Sequence, residues 1–284
     1  MFMKSFLEFL EERALLIGDK SKAYPKFNQI IIAAGGAGSG KGFVLKNVLA
    51  IEGKTFDVDE MKQQLIDFAK LKKDSEIALA YKEKYGKSLA DIDLKNPTDT
   101  SNLHAFVKER GLVEKKKEAF FLAAAQTQNK PNVIFDMTFK DMKALSEVVE
   151  LAELGGYKKE NIHIVWIVND LEQAREQNAE RTRSVADSIL VQTHTGAAMT
   201  MKKFIENNEQ YRQYADGDVW MVFNKKGVDS SIRKSSEDAK NKRIVIEKYK
   251  ALKIKSKGMP ADSINDISRE INDKILSYVP KGAW

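Results

Sequence analysis

The sequence Gly35-Gly36-Ala37-Gly38-Ser39-Gly40-Lys41-Gly42 follows directly on the isoleucine-rich run Phe27-Asn28-Gln29-Ile30-Ile31-Ile32-Ala33-Ala34. An apolar strand that enters glycines and leaves through a helix satisfies G-x-x-x-x-G-K in the setting that pattern requires. Glycines let successive backbone N–H groups turn inward, the helix start adds partial positive charge, and Lys41 reaches the outer phosphates. Gly35, Gly36, Ala37, Gly38, Ser39, Gly40, Lys41 and Gly42 are therefore the expected nucleotide-binding residues, with ATP as the expected nucleotide. Such a loop also demands a parallel sheet, because it sits at the carboxyl edge of a buried strand.

The rest of the chain supplies that sheet. Lys54–Val58, Asn132–Asp136, Ile162–Val168 and Asp218–Phe223 are further strand candidates. Helical stretches separate them, beginning with Lys41–Leu49 and Met142–Leu154, the latter closed by Gly155-Gly156. Alternation of this kind predicts an α/β fold, a five-stranded parallel sheet flanked by helices with right-handed crossovers. The span Glu60–Lys130 is too long for one crossover. It reads as an inserted helical subdomain over 64–130, broken near Gly86 and Asn96-Pro97, with a helix cap at Ser101 or Asn102. Phe2, Phe6, Phe9, Leu10 and Ile17 lie at helical spacing, so residues 1–25 read as an amphipathic helix and link. The core is expected over 26–225. A basic helical extension is expected over 226–284, where Ile264, Ile267, Ile271 and Ile275 recur at helical spacing.

Composition removes several function classes. There is no cysteine, which excludes a disulfide framework, a zinc ribbon and a thiol nucleophile, and the three histidines are far apart. No apolar run approaches the ~20 residues of a spanning helix. The first residues carry acids within their apolar stretch and no small-residue cleavage site, so a cytoplasmic protein without a membrane association is expected. The net charge of +6 is local: Lys225–Lys257 holds twelve lysines or arginines against four acids. That stretch predicts either a footprint for nucleic acid or a solvated lysine face.

Carboxylates fall where strands end. Asp57-Val58-Asp59-Glu60-Met61-Lys62 follows the second strand, on the same rim as the glycine loop, where a carboxylate can take the proton of an attacking hydroxyl. Asp59 is the candidate base, and a helix N-cap is its alternative role. Asp136 ends the third strand and suits a Walker-B-type role, holding Mg²⁺ through water; the alternative is a cap for the next turn. The residue after Lys41 is Gly42, so the hydroxyl that usually ligates Mg²⁺ at that position is absent. After the fourth strand, Arg175, Asn178 and Arg181 or Thr182 share a helix face, and arginine forks suit a developing phosphoryl charge. His194 follows this segment and either faces an acceptor or is a hydrogen-bonded structural residue.

The ordered set is G-G-A-G-S-G-K-G, D-x-D-E-x-K, an Asp after strand three and R-x-x-N-x-x-R-x-R after strand four. It resembles the P-loop kinases grouped with zeta toxins and bacteriophage polynucleotide 5′-kinases, and the loop itself resembles that of adenylate kinases. The resemblance implies an ATP- and Mg²⁺-dependent kinase acting on a hydroxyl-bearing acceptor, nucleic-acid or nucleotide-linked. It implies Asp59 as the base, Lys62 at substrate phosphate, and Arg181 and Arg183 as lid arginines. A phage kinase would work in the host cytoplasm. The basic stretch 225–257 tilts the expected acceptor toward nucleic acid, and the sequence names no protein partner. The competing reading is an NTP-binding switch or interaction protein without transfer, which the missing loop hydroxyl favours.

Overall fold

Ile30, Ile31, Ile32, Ala33 and Ala34 have no solvent exposure at all, and the architecture is arranged around them. The computed structural model describes residues 26–47, 52–180, 185–234, 244–248 and 250–284. The expected helix over residues 1–25 lies outside them. In chain order the elements are β1 (Ile30–Ala34), α1 (Lys41–Asn47), β2 (Lys54–Phe56), α2 (Val58–Leu71), α3 (Glu76–Tyr85), α4 (Pro97–Glu109), α5 (Leu112–Ala125) and β3 (Val133–Met137). There follow α6 (Lys143–Leu154), β4 (Ile162–Val168), α7 (Leu171–Ala179), α8 (Asp187–Glu206), the short α9 (Asn208–Tyr211) and β5 (Val219–Phe223). The chain closes with β6 (Ser231–Lys234), β7 (Ile244–Lys248), β8 (Lys250–Lys255) and α10 (Arg269–Tyr278).

The main sheet runs β2-β3-β1-β4-β5-β8, its first five strands parallel and β8 antiparallel to β5. All five expected strands are present. Side chains alternate across each strand. Ile30, Ile32 and Ala34 join the larger core with Phe121, Leu145, Phe204 and Ile275, while Ile31 and Ala33 pack with Val44 of α1 on the other face. Burial on both faces is why the strands read as continuous apolar runs.

The antiparallel β8 adds a sixth strand to the five expected parallel ones, and with β6 and β7 it corrects the expectation of a wholly helical C-terminal extension. In β8, Leu252 and Ile254 point into the core, and the intervening lysines hide this alternation. Their ammonium groups end on carboxylates: Lys250 on Asp229 at 3.6 Å, Lys253 on Asp218 at 3.2 Å and Lys255 on Asp216 at 2.8 Å. Lys225 pairs with Asp170 at 3.0 Å, and Lys257 bonds Asn161. Five basic residues of the stretch, Lys225, Lys250, Lys253, Lys255 and Lys257, are thus committed to partners within the fold, where they fasten the β5 edge. Only the terminal helix α10 matches the expected helical extension.

The insertion has its own small core, where Tyr81 meets Phe106 edge-on at 5.1 Å beside Leu103 and Leu89. Asn96 caps α4 by accepting from the N–H groups of Thr98 and Asp99, so Ser101 and Asn102 lie inside that helix and cap nothing. Pro97 at the first helical position favours this start. Through Phe121, α5 returns to the main core and sets one flank of the insertion beside the sheet rim.

Candidate active site

The phosphate loop is held by four side chains from three parts of the fold. Asn224, just past β5, donates to the Ser39 carbonyl at 2.9 Å, and Asn169, just past β4, donates to the Gly38 carbonyl at 3.3 Å. From α8, Thr193 Oγ1 accepts from Ala37 N–H at 3.0 Å, and His194 Nε2 meets the Ala37 carbonyl at 2.8 Å. A carbonyl only accepts, so His194 carries its proton on Nε2. Burial, with the nearby Lys41 charge, pushes the His194 pKa below its ordinary value despite the bond to Ala37, so the ring is neutral at pH 7. His194 is buried and lies against the loop, a support position that replaces the expectation of an acceptor-facing residue.

Two glycines in the loop are obligatory. Gly40 has φ +84°, and a Cβ there would stand 2.1 Å from the Asn224 amide nitrogen. A Cβ on Gly36 would stand 2.1 Å from the His194 ring. The loop is therefore as narrow as backbone allows. Ser39 Oγ is buried and has no hydrogen-bond partner among the described residues. A glycine cradle of this width, lined by backbone N–H groups at the start of α1, fits a row of phosphates.

Lys41 Nζ donates to the carbonyls of Gly35 at 2.9 Å and Gly36 at 3.2 Å, and stands 3.7 Å from Asp136 Oδ1. Asp136 arrives there because β3 pairs with β1 in register, Ala33 opposite Asp136. On the other side Phe56 pairs with Phe135, so Asp57 and Asp136 leave adjacent strands side by side. Both line a pocket of about 60 Å³ between the sheet rim and the insertion. Asp57 belongs to the D-x-D pair, but its place in this pocket is visible only once β2 and β3 are in register.

α2 begins at Val58, and its first turn closes on the Asp57 carbonyl, accepting from Met61 N–H at 3.2 Å. Asp57 thus occupies the capping position, and Asp59 lies inside the first turn. The Asp59 side chain is outside the described part of the structure. Lys62 is buried, 3% exposed, on α2. Arg181 and Arg183 lie outside the described residues. Asn178 of α7 donates to the Val185 carbonyl at 2.8 Å and accepts from Val185 N–H at 3.0 Å. Arg175 pairs with Glu172 and Asp187, tying α7 to α8. No group of three or more His, Asp or Glu side chains that would hold a metal occurs among the described residues. No described helix is long and apolar enough to cross a membrane.

The family model described as an AAA domain matches residues 30–204, more than half of the chain. This chain belongs to that family. The matched span of the AAA domain runs from β1 into α8, so it contains the glycine loop, Asp57, Asp136, Asn169, Thr193 and His194. Asn224, the fourth brace, lies beyond it. No curated protein matches. Among solved structures, a complex of AvrRxo1-ORF1 with AvrRxo1-ORF2 and sulphate ions is similar at 11% identity and TM-score 0.44, covering 89% of this chain and 65% of that one. An AvrRxo1-ORF1:-ORF2 complex with ATP gives 11% and 0.42 at the same coverages. The PezAT chromosomal toxin–antitoxin system of Streptococcus pneumoniae gives 13% and 0.42, covering 72% of this chain and 70% of that one. The chain spans about two thirds of the length of the AvrRxo1 chains. It carries a P-loop at the carboxyl edge of a mostly parallel, six-stranded sheet.

Proposed function

We propose that this protein is an ATP-dependent phosphotransferase that moves the γ-phosphate to a hydroxyl acceptor, as the zeta-toxin and polynucleotide-kinase resemblance implies. The observation that carries this reading is the shared position of Asp136, which faces Lys41 on one side and lines a pocket with Asp57 on the other. A nucleotide held by the loop then has a second, carboxylate-lined compartment beside its outer phosphate.

The loop N–H groups and Lys41 would bind and orient the β- and γ-phosphates; Lys41 would exchange its carbonyl partners for phosphate oxygens. A carboxylate of the Asp57/Asp59 pair would accept the acceptor's proton as the new oxygen–phosphorus bond forms and the β–γ bridge breaks, with ADP leaving. Asp59 is the proposed base by family likeness, with Lys62 and the lid arginines Arg181 and Arg183 as proposed contacts for substrate and transferring phosphate. Mg²⁺, when bound, would neutralise phosphate charge. Asp136 would hold it through water, since Gly42 offers no hydroxyl. Internal pairing of Lys225, Lys250, Lys253, Lys255 and Lys257 leaves a smaller part of the basic stretch to support a nucleic-acid acceptor.

A screen of hydroxyl acceptors with γ-labelled ATP tests the proposal, with Lys41→Ala as control. Transfer to an acceptor class, abolished in the control, is the expected result. ATP binding with no transfer to any class would favour the NTP-binding switch, the reading that Gly42 in the metal-ligand position supports.

A further inference from the structure

A cavity of about 370 Å³ opens at the amino edge of the sheet, the end away from the phosphate loop. Asn28 precedes β1, Lys130 precedes β3, Asn161 precedes β4, and Lys257 follows the antiparallel β8, so four separate stretches of chain converge there. At about 3.3 Å per residue, the chain from Asn28 to Gly35 puts roughly 20 Å between this cavity and the glycine loop. Ligands of open α/β sheets sit at the carboxyl edge, so the nucleotide site gives no reason for a cavity here. Three lysines line it, Lys130, Lys158 and Lys257, against one acid, Glu160. The lysines of β8, by contrast, each end on a carboxylate. Lys130 Nζ donates to the Thr127 carbonyl at 2.9 Å and Lys257 Nζ to the Asn161 side-chain oxygen, both neutral acceptors that leave the charge uncompensated. The side chains of Lys158 and Glu160 make no hydrogen bond or ion pair among the described residues.

We infer that this cavity binds a small sugar phosphate, with its phosphate group on Lys130, Lys158 and Lys257 and a sugar hydroxyl on Glu160. Three ammonium groups lining one cavity repel one another, and an anion among them reverses the sign of each interaction. A phosphate ester carries close to two negative charges and three strong acceptor oxygens, which matches three lysines against one carboxylate. A bare anion would leave Glu160 facing like charge, whereas a hydroxyl gives that carboxylate a donor. The volume lies within the range of small-molecule sites, about 300–1,000 Å³, and leaves room for a sugar beside its phosphate. The walls are fixed before any ligand arrives. Asn28, at φ 65°, donates its N–H to the Lys130 carbonyl at 2.8 Å and accepts from Lys130 N–H through Oδ1 at 3.0 Å. Tyr157 OH donates to the Pro131 carbonyl at 2.6 Å. Gly156, at φ +67°, lets the Lys130 stem pass, since a Cβ there would stand 3.3 Å from Lys130 Cε. The inference is independent of the phosphotransferase reading.

The test reads binding alone. The P-loop is first saturated with the non-hydrolysable analogue AMP-PNP, and ribose 5-phosphate, inorganic phosphate and ribose are then titrated separately by calorimetry. The proteins are wild type, Lys158→Met, Lys257→Met and Glu160→Gln, with Lys95→Met on the inserted subdomain as control. The methionine variants keep the aliphatic stem, and thermal midpoints report that folding is retained. Ribose 5-phosphate should bind wild type and the control at one site per chain, more tightly than inorganic phosphate, with no binding of ribose. Each cavity lysine variant should weaken it roughly tenfold or more, the loss of one charged hydrogen bond. Glu160→Gln should narrow the advantage of ribose 5-phosphate over inorganic phosphate. No binding of either phosphate once AMP-PNP is bound, equal binding in wild type and the lysine variants, or ribose bound as tightly as its phosphate would overturn the inference. So would a loss of AMP-PNP affinity in the lysine variants, which would place the anion at the P-loop.

Discussion

Asn224 donates its side-chain amide to the carbonyl of Ser39 at 2.9 Å, so the end of β5 fixes the floor of the phosphate loop. The brace extends further. Ser230 Oγ donates to Asn224 Oδ1 at 3.2 Å, and the neighbouring Asp229 accepts from Tyr278 of α10 at 2.7 Å. The C-terminal helix is thereby linked to the nucleotide site through three residues.

Asn224→Ala should therefore loosen the loop without unfolding the protein. One intramolecular hydrogen bond is worth about 1 kcal/mol, and the buried Ser39 carbonyl would lose its partner. A severalfold weaker ATP affinity with a thermal midpoint near wild type is expected from calorimetry and thermal melts. Unchanged ATP affinity would mean the loop holds its shape without the brace.

Asp229 makes a prediction about stability. It is fully buried, pairs with Lys274 at 2.6 Å and Lys250 at 3.6 Å, and accepts from Tyr278 OH and Lys225 N–H. Removing one member of a buried ionic group strands the others, at a cost of about 3–5 kcal/mol. Asp229→Ala should lose stability on that scale in urea unfolding. A loss under about 1 kcal/mol, typical of a surface pair, would show the cluster to be solvated.

The elements that sequence reveals and those it hides differ in the range of their causes. The glycine loop and β1, β3, β4 and β5 are legible because each is specified within about ten consecutive residues. β8 is not, since Lys250, Lys253 and Lys255 break its apolar run and their partners Asp229, Asp218 and Asp216 lie in loops flanking β5. The braces at Thr193, His194 and Asn224 join residues more than 150 positions apart, and no local spacing announces them. The acceptor-side pocket needs the Phe56–Phe135 register and the return of α5, neither of which a motif encodes.

His163 sets a pH limit. It is fully buried, with Nε2 at 2.9 Å from Gln29 Oε1 and Nδ1 accepting from Asp218 N–H at 2.9 Å. Burial pushes its pKa down to about 3; Asp218 opposes this, and Lys257, Lys253 and Lys255 add to it. The unfolded histidine titrates near 6.5, so below that pH the unfolded chain takes up a proton the fold refuses. Stability from this residue is complete above pH ~6.5 and falls by up to about 1.4 kcal/mol per pH unit toward pH ~3. Urea unfolding at pH 7 and pH 5 should show a smaller pH-dependent loss in His163→Gln than in wild type. Equal losses would remove His163 from the acid sensitivity.

Asp136→Asn should separate metal use from nucleotide binding. The amide keeps the strand end and its size but loses the charge that faces Lys41 and would hold metal-bound water. ATP affinity without Mg²⁺ should hold or rise, since a negative charge near the phosphates is gone. The Mg²⁺ concentration for half-maximal transfer should increase. Full activity with an unchanged Mg²⁺ titration would leave Asp136 with a structural role alone.

Asp57→Asn and Asp59→Asn together decide which carboxylate takes the acceptor proton, and whether one does. Asp57 lines the pocket and occupies the capping position of α2; Asp59 lies two residues further on, inside the first turn of the helix. Asparagine is nearly isosteric with aspartate and caps a helix about as well, so neither change should lower the thermal midpoint by much. Neither amide can act as a base, and loss of a general base costs about 10²–10⁴ in rate. Under the proposed assignment, single-turnover transfer falls by at least about a hundredfold in Asp59→Asn, with ATP affinity intact. Asp57→Asn should then change the apparent affinity for the acceptor more than the rate. The reverse pattern would move the base to Asp57. Wild-type rates in both variants would leave the transferring step without a carboxylate base.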